Sequence, residues 1–590
     1  MSYPPAVSAA SAVSAPAAPA ASAVISRAAL WARLAEPRRW DLVVVGGGAT
    51  GLGVALDAAV RGLSVVLLES HDFASGTSSR TTKLAHGGVR YLAQGDLGLV
   101  REALHERGAL LANAPHVAQR LGFVMPGTQW WQRAFYGIGL KAYDALAGRQ
   151  GLGGTEWLDS AAVRALLPGL QPRGLWGGVR YWDGQFDDAR LAVVLARTAL
   201  ARGAVVLNHA PVTGVVRTGG RVSGVQVRDA ENGAVLTLQA QCVVSATGVW
   251  VDALRALDGG SGGEGGAGAG AGAGAGEAAR ADGSVGGNRP ASVSSAPAPL
   301  VAPSQGVHLV VDRSFLPGTH ALLVPRTADG RVLFAVPWLG KLVLGTTDTP
   351  RQDAPREPLA LPAEVDFILR EAGRMLLRPP TRADVRSVWV GLRPLVKPQA
   401  AAPGSSTQGL SREHLVHIAA SGLVSVTGGK WTTYRSMAED VLAQAMAAGL
   451  LPQRPQAPGG GTSRLPLQGA APGRPLTEPP GEHLYGSDAT LVRSLPGADH
   501  WLWRDLTPVP GGSPRGLSEA MVRFAARFEM ARTVEDVLAR RCRLLFLDAA
   551  EAARQADAVA AILAEETGLD AEALGVEAFK LLAAQYARAP

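Results

Sequence analysis

The chain has 590 residues, 47% of them hydrophobic, enough for two or more domains around a sizeable core. Its net charge of +7 suits anionic ligands or an anionic membrane surface, and no nucleic-acid module accompanies it, so nucleic acid is set aside. Two cysteines far apart in sequence, Cys242 and Cys542, exclude a disulfide framework and a thiolate metal site, and no run of eighteen apolar residues offers a transmembrane helix.

Residues 1–40 are mostly Ala, Ser, Pro and Val, with no basic residue before Arg27, which argues against a secretory signal and predicts a disordered tail. The next stretch organises the rest. Leu42-Val43-Val44-Val45 reads as a buried strand, and Gly46-Gly47-Gly48-Ala49-Thr50-Gly51 follows it as G-x-G-x-x-G. Gly46 suits the tight turn, Gly48 lets backbone approach a pyrophosphate, and Gly51 lets the next helix sit close to the strand. That helix is predicted from Ala49 to Arg61, and a second strand, Val65 to Leu68, ends at Glu69. A carboxylate there accepts ribose hydroxyls and would repel a 2′-phosphate, so the site takes FAD or NAD rather than NADP.

Strands and helices alternate through residue 450, predicting an α/β body, 41–450. Asp187-Asp188 can cap a helix carrying Leu191, Val194 and Leu195. Segments near 222–238 and 322–344 predict a meander and a second, largely antiparallel sheet. A Gly/Ala-rich tract, 258–303, reads as a flexible insertion, and a Pro/Gly tract, 451–480, as a linker to a helical domain, 481–590, with Thr533 and Asp536 as a capping box.

Four polar clusters could carry chemistry. Thr77-Ser78-Ser79 with Lys83, His86, Gly87, Gly88, Arg90 and Tyr91 lies beyond the second strand, where nucleotides bind in open sheets. Ala246 and Gly248 sit in a small-residue turn after a strand. Arg393, in an apolar run, needs either a structural carboxylate or an anionic ligand. Gly428-Gly429-Lys430 precedes a helix starting near Thr432, whose free N–H groups could face a flavin. A two-part site of this kind selects FAD over NAD. His86 and His308 are candidate acid/base groups, and no metal-ligand spacing is evident.

The motifs GGGATGLG, TSSRTTKLAHGGVRYL, FDDARL, GTTD, GLRPLVK and GGKWTTYRSMAED, with TVEDVLARRCRLLFLD toward the C-terminus, together resemble the FAD-dependent, respiratory-type glycerol-3-phosphate dehydrogenases. The resemblance implies a glutathione-reductase-like FAD-binding domain, an antiparallel-sheet substrate domain and a C-terminal helical domain. It implies oxidation of sn-glycerol 3-phosphate to dihydroxyacetone phosphate, with electrons passing to a membrane quinone. It also implies peripheral attachment to the inner face of the cytoplasmic membrane. Arg90, Arg393 and Lys430 match the family's basic substrate positions, with Tyr91 and Thr432 completing the contacts. Arg393 orients and polarises, while His86 and His308 are the candidates for proton uptake. A homodimer is compatible with the sequence. An aromatic and basic stretch, Trp130 to Tyr143, fits either a bilayer interface or a packed helix. The rival functions are a glycerol-3-phosphate oxidase using dioxygen, an amine or amino-acid oxidase, and a non-catalytic flavin-binding protein.

Overall fold

The structure is a computed structural model that describes residues 23–87, 97–127, 129–259, 298–327, 330–397, 413–454, 461–506 and 515–590. Two sheets form its body. The first has eight strands; across its main path the order is His414–Ile418, Val424–Gly428, Val235–Ser245, Arg39–Val45, Val65–Leu68, Val205–Leu207. The inner pairings are parallel, with Leu42 opposite both Cys242 and Val65. Parallel strands are covered on both faces, which is why this stretch is a continuous β-branched run: Leu42, Val43 and Val44 are fully buried. The helix Ala49–Val60 follows the glycine turn and packs against the helices Asp188–Ala201 and Tyr434–Ala447. Asp187 caps the former, its carboxylate accepting from the Arg190 amide at 3.2 Å.

The second sheet has ten strands and is antiparallel apart from the pairing of Ala321–Val324 with Ala118–Gly127. Its longest pairing joins Val301–Asp312 to Val385–Val396 and brings Arg393 opposite Ser304. Gly306 lies beneath that arginine: a Cβ there would come within 2.4 Å of an Arg393 guanidinium nitrogen. Glycine therefore makes the room that the guanidinium occupies against the strand.

The C-terminal segment is helical, with Glu519–Glu529, Ala549–Thr567 and Val576–Tyr586 around a π-helical turn, Asp536–Arg541. The Thr533/Asp536 box is reciprocal, with the Thr533 amide donating to Asp536 at 3.1 Å and the Asp536 amide to Thr533 Oγ1 at 3.2 Å. Asp72, His209 and Asp536 converge here at ligand-like spacing, but Arg540 bonds both carboxylates and Arg541 bonds Asp72, so arginine charge already fills the cluster.

The described structure differs from expectation at three boundaries. Within the stretch read as a tail, Arg27–Ala35 is a helix with Ser26 as its cap; Arg27 pairs with Asp229 at 2.7 Å and Glu231 at 3.1 Å, and buried Leu34 with partly buried Leu30 and Trp31 docks it on the core. Strand structure resumes at Val301, inside the stretch 258–303 read as an insertion, and His308 lies in the middle of that strand. Residues 461–480 are not a free linker: Leu465, Leu467 and Leu476 are buried, and the Gln468 amide donates to Thr198 Oγ1 at 2.9 Å. Irregular Pro/Gly backbone satisfies its polar groups on neighbours when it cannot do so on itself.

Candidate active site

A cavity of about 1400 Å³ runs between the two sheets, larger than the roughly 300–1000 Å³ of a site for one drug-sized ligand. At one end it is lined by Gly46, Gly48, Glu69, Ser70 and His71. Gly46 has φ +110°, which favours glycine, and a Cβ on Gly51 would fall 1.9 Å from the Gly46 carbonyl oxygen. Helix and turn can approach this closely only without that side chain. The Glu69 carboxylate is held in place: one oxygen accepts from the Gly47 amide at 2.6 Å, the other from the His71 amide at 2.9 Å and Ser70 Oγ at 3.1 Å. Ser78 Oγ accepts from the Ala49 amide at 3.1 Å, and Thr77 Oγ1 donates to the Leu392 carbonyl at 2.5 Å, tying this loop to both the helix start and the second sheet. Replacing Gly51 with valine should weaken FAD binding at least tenfold and lower the apo-protein's melting temperature, since overpacking costs about 1–3 kcal/mol. Replacing Gly48 with alanine should weaken FAD binding with a smaller loss of melting temperature than Gly51→Val, because its Cβ would crowd only the Ser78 hydroxyl, at 3.1 Å, which can give by a few tenths of an ångström. Flavin titration and thermal melts of both apo-variants check this.

The middle of the cavity is lined by Ala246, Gly248, Gly429, Lys430 and Thr432, the last three at the start of the helical segment Trp431–Ala447. Trp431 donates its indole N–H to the Ser78 carbonyl at 2.8 Å, joining the two halves of the cofactor-shaped wall.

The far end is polar on one side and apolar on the other. Arg393 pairs with Asp348 at 3.1 Å and donates to the Thr347 carbonyl at 3.1 Å and Thr346 Oγ1 at 3.3 Å. Arg331 donates to the Asp348 carbonyl at 3.2 Å, so two guanidiniums flank one residue. The alternatives for Arg393 thus merge: it has a structural carboxylate and also faces the cavity. His308 is buried, with Nε2 2.9 Å from Thr82 Oγ1, its ring stacked on Trp389, and no hydrogen-bond partner for Nδ1 among the described residues. Burial, with Lys83 and Arg393 nearby, holds its pKa well below the usual imidazole range, so the ring is neutral near pH 7. The opposite wall is apolar, with Phe123, Met125, Phe135, Tyr136, Ile138 and Leu140.

Most of the expected site residues meet in this one cavity: Gly46, Gly48, Glu69, Thr77, Ser78, His86, Ala246, Gly248, His308, Arg393, Gly429, Lys430 and Thr432. Gly51 acts behind the wall. Three do not reach it. Lys83 is fully buried beneath the loop with φ +65°, its ammonium 2.8 Å from Asp188 and 2.6 Å from the Ser79 carbonyl. A buried ammonium needs a carboxylate more than a cofactor does, and burial still pulls its pKa down to about 7. Ser79 points its carbonyl at that same ammonium, and Gly87 packs against Tyr143 and Leu104. Gly88, Arg90 and Tyr91 lie outside the described residues. Sequence reasoning gave no role to Arg331, Thr346, Thr347 or Asp348, although for the last three GTTD, a polar turn ending a strand, was the available signal.

A dinucleotide cradle on a parallel sheet, opening onto a cationic pocket on an antiparallel one, defines an FAD-dependent oxidoreductase. The family described as "FAD dependent oxidoreductase" matches residues 41–264 and 269–435, and "C-terminal domain of alpha-glycerophosphate oxidase" matches 461–574. Mitochondrial glycerol-3-phosphate dehydrogenase of Schizosaccharomyces pombe is 34% identical over 593 residues, covering 92% of this chain and 87% of that protein. Glycerol-3-phosphate dehydrogenase 2 of Mycobacterium tuberculosis is 38% identical over 537 residues, covering 88% and 83%. The glycerol-3-phosphate dehydrogenase from Bacillus halodurans, solved with FAD, superposes with a TM-score of 0.68 at 28% identity, covering 96% of this chain and 98% of that one. The chain belongs to the FAD-dependent glycerol-3-phosphate dehydrogenase family.

Proposed function

We propose that this chain oxidises sn-glycerol 3-phosphate to dihydroxyacetone phosphate and delivers the electrons to a membrane quinone. The observation that carries the reading is the far end of the cavity, where Arg393 and neutral His308 face one space next to the cofactor cradle. Bound FAD would accept the hydride that leaves C2. Arg393, held by Asp348, Thr346 Oγ1 and the Thr347 carbonyl, brings a fixed positive charge to the cavity that suits an oxyanion, and Lys430 lines the same cavity. His308 Nδ1 is the ring nitrogen available to take the C2 hydroxyl proton, provided Nε2–H donates to Thr82 Oγ1. A phosphate dianion beside Arg393 would offset the positive charge that depresses the His308 pKa, making the imidazole a stronger base once substrate is bound.

Quinone delivery and peripheral attachment to the inner face of the cytoplasmic membrane rest on the helix Trp130–Ala147. Leu140 and Tyr143 turn inward, whereas Trp131, Phe135 and Ile138, at i, i+4 and i+7, are 44%, 65% and 69% exposed. Phe135 and Ile138 also line the cavity, so an apolar acceptor could pass from a bilayer to the flavin without crossing water. Among the described residues no helix is long and apolar enough to span a membrane. Because burying each such side chain contributes about 1.5–3 kcal/mol, the pair Phe135→Ser and Ile138→Ser should lower partitioning onto anionic vesicles at least tenfold while leaving FAD content unchanged. Sedimentation of both forms with vesicles checks this; equal partitioning would remove the helix as the docking face. Quinone-dye reduction without peroxide supports the quinone route, and stoichiometric peroxide would instead make the chain an oxidase.

A further inference from the structure

Under the loop from Thr77 to His86 lies a buried four-charge cluster that the chemistry above does not use. Arg543, from the C-terminal helical segment, is fully buried with φ +67°. It donates to the Ser79 carbonyl at 2.8 Å and to Asp188 at 3.1 Å, and lies 3.4 Å from Asp187. Lys83 bonds the same two acceptors from the loop side, at 2.6 and 2.8 Å. Asp188 then accepts from the Thr81 amide at 3.1 Å and Thr81 Oγ1 at 2.8 Å. The Phe546 ring lies 4.2 Å from the Arg543 guanidinium carbon, and Phe546 also abuts Trp389, on which His308 stacks.

Two basic and two acidic side chains balance in formal charge, as a fully buried cluster requires. Its anchors alternate with working residues. Ser79 follows Ser78, which caps the fingerprint helix, and Thr81 precedes Thr82, which holds His308 Nε2. From position 543 the guanidinium spans the Ser79 carbonyl and Asp188 through its planar fork, a geometry that a lysine there, with a shorter stem and no fork, would not reproduce.

We infer that Arg543 is a positioning residue for the oxidation: the C-terminal segment clamps the loop 77–86 through it, and through Thr82 sets the orientation of His308. The catalytic half of this inference rests on the reading of His308 as the proton acceptor; the clamp itself does not.

The test is a double-mutant cycle on the FAD-loaded protein. Arg543→Lys keeps the charge and should lower the rate of flavin reduction at saturating glycerol 3-phosphate about tenfold, with substrate affinity within threefold and FAD content unchanged. In a His308→Ala background the same substitution should cost less than twofold, because residues acting through one another are not additive. Equal cost in both backgrounds, or a loss matched by lost FAD, would overturn the inference. Thr82→Val cuts the link downstream with Arg543 intact and should reproduce the loss even if Arg543→Lys folds poorly; an unchanged rate would contradict the link. Without substrate, Arg543→Lys should raise deuterium uptake across residues 77–87 and leave 188–201 as in the wild type; unchanged uptake at 77–87 would overturn the clamp. If glycerol 3-phosphate fails to reduce even the wild-type flavin, the substrate reading falls, and the exchange comparison still decides the clamp.

Discussion

Replacing Arg393 with methionine should leave FAD bound yet lower kcat/KM for glycerol 3-phosphate about 10³-fold, since truncating one member of a desolvated charge pair costs 2–5 kcal/mol or more. Two losses combine in that figure. The substrate phosphate loses the cation that faces it, and Asp348, 3.1 Å from the guanidinium, loses its ion-pair partner. Arg393→Lys separates them, because an ammonium can still neutralise Asp348 but cannot also hold the Thr347 carbonyl and Thr346 Oγ1 that fix the cation in place. It should recover roughly 10- to 150-fold of the lost kcat/KM, on the scale of one hydrogen bond to a charged group at about 1.5–3 kcal/mol. Steady-state kinetics with flavin content measured on the same samples checks both variants. Loss of FAD in parallel with activity would instead make Arg393 a structural residue.

The second large effect belongs to His308. Its replacement by alanine should slow flavin reduction about 10²–10³-fold, the range for a positioned general base. The sign of the pH dependence follows from the depressed pKa. In the free protein the imidazole is neutral down to well below its ordinary value, so kcat/KM should show no loss from this group as pH falls from 8 toward 6.5. At lower pH protonation removes the base and the rate falls. In the substrate complex the phosphate charge raises the pKa, so the acid limb of the reduction rate at saturation should sit at higher pH than that of kcat/KM. Stopped-flow reduction across pH 5–8 measures both limbs. His86 also lines the cavity, and unchanged rates and profiles in both His86→Ala and His308→Ala would remove histidine from the mechanism.

The parts legible in the sequence are those whose physics is local. Gly46, Gly48 and Gly51 announce a strand-turn-helix because three glycines at that spacing fit few other purposes, and Glu69 ends the next strand within the same short unit. The site also drew Gly429, Lys430 and Thr432 from the far end of the chain for the same reason: a second strand-turn-helix reads as one. What could not be read is the direction in which a charged side chain points. Lys83, between hydroxyl-rich neighbours, looks like a cofactor contact, but its partner Asp188 is 105 residues away and the arginine completing the cluster is 355 residues beyond that. Arg393 offered the same ambiguity, resolved by Asp348, 45 residues earlier in sequence and adjacent only through antiparallel pairing. The helix Arg27–Ala35 escaped notice because an alanine- and serine-rich context masks a short amphipathic segment whose stability comes from docking rather than from propensity.

The measurement that bears most directly on the central claim is anaerobic addition of glycerol 3-phosphate to the purified, FAD-loaded protein while the flavin absorbance is followed. The pairing of Arg393 with neutral His308 beside the cofactor cradle predicts bleaching by glycerol 3-phosphate and none by glycerol, which lacks the anion that Arg393 would hold. An unbleached flavin, or equal bleaching by glycerol or by an amino acid, would contradict it.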